Sequence, residues 1–169
     1  MAVLNTDIKF YLSGGAANSD VNASLGGAKS SVEITSAQLH NLFDKVTSAE
    51  SESGDVEYRC LYVENTSATD TLEAAVAYVS QNTPSPDTTV DIGLGTSAID
   101  GTEQTVADES TAPATVSFSA PSDSESGLVI GNLTAGQHKA IWIRRTVSAA
   151  AAAYNSDSAT ITVAGDTGA

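Results

Sequence analysis

Between Gly54 and Asn65 the side chains alternate as they do along a β-strand. Val56, Tyr58, Cys60 and Tyr62 fall on one side, and Glu57, Arg59, Leu61 and Val63 on the other. The run is rich in β-branched and aromatic residues, follows a glycine and stops at Glu64-Asn65, so its ends are marked as well. Only residues 139–147 are comparably dense, and they hold the single tryptophan, Trp142. The pattern predicts these two runs as central strands of one β core.

Shorter strands are predicted over 7–12, 71–79, 90–94, 115–119, 128–133 and 159–163. In the second of these, Leu72, Ala74, Val76 and Tyr78 oppose Glu73, Ala75, Ala77 and Val79. The Ala content is compatible with helix, but Thr71, Val76, Tyr78 and Val79 favour a strand. It is predicted to return on 56–64 as a hairpin with a long turn over 65–70. One segment has helical spacing, residues 36–46, with Ser36 as N-cap and Leu39, Leu42, Phe43 and Val46 as an apolar stripe. Turn chemistry fills 13–20, 24–28 and 81–87, the last with Pro84 and Pro86. Residues 95–115 read as a polar loop, 148–155 as an Ala-rich connection and 165–169 as a tail. Seven or eight short strands between polar turns predict a mainly all-β chain, an Ig-like antiparallel β-sandwich with one short helix. Residues 1–31 form an extended Gly/Ser-rich arm with the first strand, and 32–169 the sandwich, as a single domain overall. The arm is expected to order against a neighbour, since it buries little apolar area alone.

Composition narrows the function. The 169 residues carry seven Lys and Arg against 21 Asp and Glu, a net charge of -14. Such a surface repels phosphate backbones and anionic membranes, so neither nucleic acid nor membrane is an expected partner. It keeps a crowded, multicopy protein soluble. Cys60 is the only cysteine, which excludes an intrachain disulfide and a Cys-based metal site; mid-strand, it reads as a small buried hydrophobe. Met1 to Asp7 lacks a basic and apolar leader pattern, and no stretch reaches the roughly 20 apolar residues that span a bilayer. Cytoplasmic synthesis is expected.

The sequence carries no catalytic signature. His40 and His138 stand nearly a hundred positions apart, and HExxH, GxSxG and CxxC are absent. The loops nearest to calcium chemistry, Asn18-Ser-Asp20 and residues 87–91, lack the DxDxDG spacing. No cofactor, metal or catalytic residue is expected. Arg59, Arg144 and Arg145 stand out among so few cations. Adjacent residues of a strand face opposite ways, so one of Arg144 and Arg145 can lie along the sheet beside Glu57 or Glu64 while the other faces out. Two readings stay open for the arginines: cross-strand ion pairing, or contact with an acidic neighbouring subunit.

Several segments together are similar to a known group. Ser13-Gly-Gly with Asn18-Ser-Asp20, Ser24-Leu-Gly-Gly27, Asn41-Leu-Phe-Asp44, Glu50-Ser-Glu-Ser-Gly-Asp55, Glu57-Tyr-Arg-Cys60 and Ala140-Ile-Trp-Ile-Arg-Arg145 resemble small virion structural proteins of tailed bacteriophages. The resemblance is strongest over 13–65 and 128–147. It implies a non-enzymatic particle protein, most of all a capsid decoration (cement) protein that binds the outer shell, with a tail, neck or baseplate component as competitor. The implied partners are the major capsid protein or other virion proteins, and further copies of the chain, with a trimer as the favoured form. The implied location is the virion, assembled in the bacterial cytoplasm. Candidate interface residues are Arg59, Arg144 and Arg145, with Leu25, Asn18 and Asp20 in the arm. A host-surface or carbohydrate-binding sandwich is the remaining alternative. It would need exposed aromatics, for which Tyr154, or an exposed Trp142, would serve.

Overall fold

The structure, a computed structural model, describes residues 2–167. In chain order its strands are β1 (Ile8–Leu12), β2 (Gly26–Gly27), β3 (Asp55–Asn65), β4 (Leu72–Gln81), β5 (Thr88–Leu94), β6 (Glu103–Thr105), β7 (Leu128–Leu133), β8 (His138–Val147) and β9 (Thr160–Thr167). The one α-helix among the described residues is α1 (Ser48–Ser53). β1, β3, β8 and β5 form a four-stranded antiparallel sheet in that order, and β7, β4 and β9 a three-stranded one. β2 and β6 make a small third pair. The chain is mainly β with antiparallel sheets.

The two predicted central strands do pair with each other, from Asp55 opposite Val147 to Glu64 opposite His138. Their alternation sorts side chains between two apolar clusters. Leu61, Val63, Ile141 and Ile143 join Val90 and Ile92 of β5 and Leu72, Ala75, Ala77, Val79, Ile130 and Leu133 of the second sheet in one core. The two sheets thus layer on a shared interior. Tyr58, Cys60, Tyr62, Ala140 and Trp142 fill the opposite face, where Val106, Val116 and Phe118 from the long 95–120 segment cover them. Each fully buried large side chain contributes roughly 1.5–3 kcal/mol over exposure. β3 and β8 carry apolar groups on both faces because both faces are covered.

The predicted hairpin between 56–64 and 71–79 does not form: β3 lies in the four-stranded sheet and β4 in the other. Asn65 is the physical reason. Fully buried, it donates from Nδ2 to the Asp70 and Leu133 carbonyls, both at 2.8 Å, and accepts from the Ser67 N–H. The chain is thereby turned across to the other sheet instead of back along β3. From β3 onward, successive long strands alternate sheets, through β4, β5, β7, β8 and β9.

The predicted helix over 36–46 is likewise replaced by turns, and α1 lies just beyond it. Ala37 and His40 have φ of 60° and 58°, which a right-handed helix cannot contain. Leu42 and Phe43 turn inward while Leu39 stays exposed, so the apolar stripe is split. α1 instead has a complete capping box between Thr47 and Glu50. Residues 115–119 reduce to one bridge, Ser119 to Ile92. A Cβ on Gly93 would meet Val116 Cγ1 at 2.5 Å, so the segment lies flat on β5 where only glycine leaves room. β9 extends to Thr167, into the predicted tail; the tail's residues 168–169 are outside the described chain.

The segment predicted as an arm packs on its own domain. β1 pairs with β3 from Ile8 opposite Asn65 to Leu12 opposite Leu61, and Gly26 pairs with Thr105. A Cβ on Gly26, whose φ is +93°, would lie 1.8 Å from the Gln104 carbonyl oxygen. The outer edges of the four-stranded sheet are closed. Residues 30–34 bond to Phe10 and Leu12 along β1, while Asn82 and Ser119 bond to Val90 and Ile92 along β5. The outer edges of β7 and β9 have no backbone partner among the described residues.

Candidate functional site

The chemistry-bearing residues gather at one end of the shared core. Glu57, Arg59 and Arg145 lie on the inward phase of β3 and β8, with Glu57 directly opposite Arg145. Arg59 is 0% exposed and Glu57 2%. Arg145 Nε donates to Glu57 Oε2 at 2.5 Å, and its Nη2 pairs with the same oxygen. Nη1 donates to the Asp44 carbonyl at 2.7 Å. Arg59 Nη2 lies 4.0 Å from Glu57 Oε1 and donates to Glu109 Oε2 at 2.5 Å and Asn22 Oδ1 at 2.9 Å. Phe43 sits against both guanidiniums, 5.4 Å from Arg59 Cζ and 4.8 Å from Arg145 Cζ. Burial raises the Glu57 carboxyl above its ordinary range, and the bonds from Arg145, then the charge of Arg59, offset part of that.

This arrangement fastens three connections to the central strands: the N-terminal segment through Asn22, the 36–47 turns through Phe43 and Asp44, and the long 95–120 segment through Glu109. Two charged hydrogen bonds reach from Arg59 to loops 37 and 50 positions away in sequence. A charge-assisted bond of this kind is roughly twice as strong as a neutral one. Removing one member leaves the others charged in a dry interior.

Arg144 faces the other way, as adjacent strand residues must. It forks onto Asp91 Oδ2 at 3.0 and 2.6 Å, with Phe118 under its guanidinium and a third of its side chain exposed. The three candidate arginines therefore part company: Arg59 and Arg145 are inside, Arg144 at the surface. Leu25 is half-buried and accepts from the Val106 N–H. Asn18 clips its own turn, donating to the carbonyls of Ser13 and Asp20, and Asp20 accepts from the Asn22 N–H. Both arm polar residues are thus occupied within the chain, although Asp20 is exposed.

A second carboxylate, with no mark in the sequence to distinguish it, is also buried. Glu103, 3% exposed, accepts from the N–H groups of Thr96 and Ser97 and from the Thr96 hydroxyl. Burial pushes its pKa up, but the donors of Ser97 and Thr96 outweigh it and hold it at about 2. Its own N–H donates to the Tyr62 hydroxyl, which donates to the Gly27 carbonyl at 2.6 Å. Burial raises the Tyr62 pKa to about 12 and the Cys60 thiol further still. Trp142 on the same face is 0% exposed, while Tyr154 is 51% exposed. Glu103 sits among Asp100, Asp108 and Glu109 in a polar stretch, where its burial has no periodic signal. Glu57 and Arg59 did have one: opposite charges two apart in a strand, in phase with Leu61 and Val63.

The histidines do not share a site. His40 is in the exposed turns, and His138 Nδ1 lies 3.3 Å from Asp100 Oδ1 with its ring edge-on to Tyr62. Burial lowers the His138 pKa, partly countered by Asp100. Among the described residues no group of three His, Cys, Asp or Glu is placed to hold a metal ion, and no helix is long and apolar enough to cross a membrane. Loop carboxylates serve their own turns: Asp108 is held below its usual range by Thr111 and Ser110, and Asp123 by Ser126. No family model, curated protein or solved structure matches this chain.

Proposed function

We propose that the chain is a non-enzymatic structural protein of a tailed-phage virion, a capsid decoration (cement) protein that binds the outer shell and stabilises it through subunit contacts. The observation that carries this reading is where the charges go. Of seven basic residues, Lys9, Lys29, Arg59, Arg144 and Arg145 are paired with carboxylates of the same chain. The carboxylates left over give an outward-facing negative surface, suited to high local concentration and to a partner of opposite charge. The buried charges hold loops in place rather than lining an open cleft. The resemblance over 13–65 and 128–147 supports the same role, with the major capsid protein or other virion proteins as partners and a homo-oligomer, a trimer in the favoured form, as the bound species. An Ig-like assignment draws on the two-layer form. The alternation of sheets from β3 onward departs from the immunoglobulin order, in which neighbouring strands also pair within a sheet.

The test is binding of purified protein to undecorated capsids, followed by imaging. Saturable occupancy at regular lattice positions is expected. Absence from shells with incorporation at the tail, neck or baseplate would transfer the protein to that role, and absence from both would end the virion reading.

A further inference from the structure

The three-stranded sheet is unfinished at β9. This eight-residue strand pairs with β4 on one side only, and among the described residues its other edge has no backbone partner. Beside that edge a groove of about 380 Å³ runs between β9 and the N-terminal segment, lined by Leu4, Ile8, Phe10, Ile161 and Val163 among others, with no charged side chain in its wall. Ile161 and Val163 are only half-buried although both pack on the shared core. The rim of the core is open here, whereas the β1 and β5 edges of the other sheet are closed by the chain itself. A free edge presents a row of N–H and C=O groups that can pair with another strand.

The charges beside the groove specify more. Glu73 on β4 and Asp166 on β9 are directly opposite in the register, both exposed, and among the described residues neither has a cation partner. Like charges placed opposite each other oppose pairing. They sit at one end of an otherwise uncharged edge. A cation brought by an incoming strand would relieve them.

We propose that the β9 edge is a docking site for an extended segment of a different protein. The segment adds a fourth strand to this sheet, alternates apolar residues toward the core rim with small polar residues outward, and carries Lys or Arg where it passes Asp166. Backbone pairing gives the contact its direction, and Ile8, Phe10, Ile161 and Val163 give its apolar side a seat. A second copy is the poorer occupant. The chain's own open strands, β7 and β9, contain no Lys or Arg, and each copy brings a charge of -14. The inference is independent of the virion reading.

The probe is an acetylated, amidated peptide of sequence Lys-Val-Thr-Val-Thr-Val-Lys, in which Lys and Thr share the outward phase, with a twin bearing Glu at both ends, added to the full chain. Amide hydrogen exchange and fluorescence anisotropy report binding. The Lys-flanked peptide is expected to slow exchange in 160–167 specifically, and to bind more weakly as salt is raised. Asp166→Lys, at an exposed position, should weaken it by about fivefold and let the Glu-flanked twin bind instead. No slowing in β9 with either peptide would overturn the proposal, as would equal binding of the two. Protection of β9 that grows with protein concentration in the absence of peptide would also overturn it, by showing that a second copy takes the edge.

Discussion

The two large sheets face the same core but are finished differently. The four-stranded sheet is buried on both faces: Leu61, Val63, Ile141 and Ile143 toward the other sheet, and Tyr58, Cys60, Tyr62 and Trp142 beneath the 95–120 segment. Its edges are closed by 30–34 and by Asn82 and Ser119. The three-stranded sheet buries only the face that looks inward. Outward lie Val129, 71% exposed, and the Val76 and Ala164 pair, and among the described residues the outer edge of β9 has no backbone partner. The difference teaches where stability and association reside. In the first sheet both faces are packed and both edges bonded within the chain; in the second, hydrogen-bonding capacity and apolar surface remain for something else.

Substitutions can break that contrast. The largest effects belong to the four-stranded sheet. Trp142→Ala should cost about 3–5 kcal/mol in chemical denaturation, as large-to-small changes in a dry core do; a cost below about 1 kcal/mol would place the ring at a surface. Arg145→Ala should cost a similar 3–5 kcal/mol, because Glu57 is left buried without its bonded partner. The triple change of Glu57, Arg59 and Arg145 to apolar residues of like size should recover most of that loss.

An intermediate effect depends on pH. Glu103 is depressed to about 2 in the fold from an ordinary 4.5, so its contribution is complete above about pH 4.5 and is lost as pH falls toward 2. Wild type should lose on the order of 2 kcal/mol across that window relative to Glu103→Gln, measured by urea denaturation at each pH. Glu57 has the opposite sign: its raised pKa makes its contribution fullest at low pH, fading as pH rises through the folded value. Comparison with the Gln variant separates the two.

The smallest effects should come from partly exposed and edge positions. Arg144→Ala should cost about 0.5–1 kcal/mol, since a third of its side chain is in water. Equal costs for Arg144→Ala and Arg145→Ala would erase the inside-outside distinction between them. Val129→Thr on the open sheet should stay within about 0.5 kcal/mol, and a larger loss would show that this face is not solvent-facing in the folded chain.

Much of the β content was legible because period-2 alternation survives in a linear reading. The 54–65 and 139–147 runs were marked as strands by their own residues, and Arg144 and Arg145 were destined for opposite faces by strand geometry alone. The apolar spacing of Leu39, Leu42, Phe43 and Val46 was legible too, but it misled. Leu42 and Phe43 serve the core and the arginines from turns, and left-handed backbone at Ala37 and His40 is not written in their side chains. Proximity in sequence likewise suggested a hairpin between β3 and β4, where a buried Asn65 sends the chain across.

By itself the sequence determined that this protein is mainly β, strongly acidic, built around two dense strands, and short of cations. Those properties are local or additive, set by side-chain period and composition. Tertiary structure alone decided which strands share a sheet, that Glu103 is buried, that Phe43 lies against two guanidiniums, and that β9 has an edge no other described residue pairs with. Each depends on segments tens of residues apart meeting in space, where desolvation and backbone pairing act on groups that no local pattern connects.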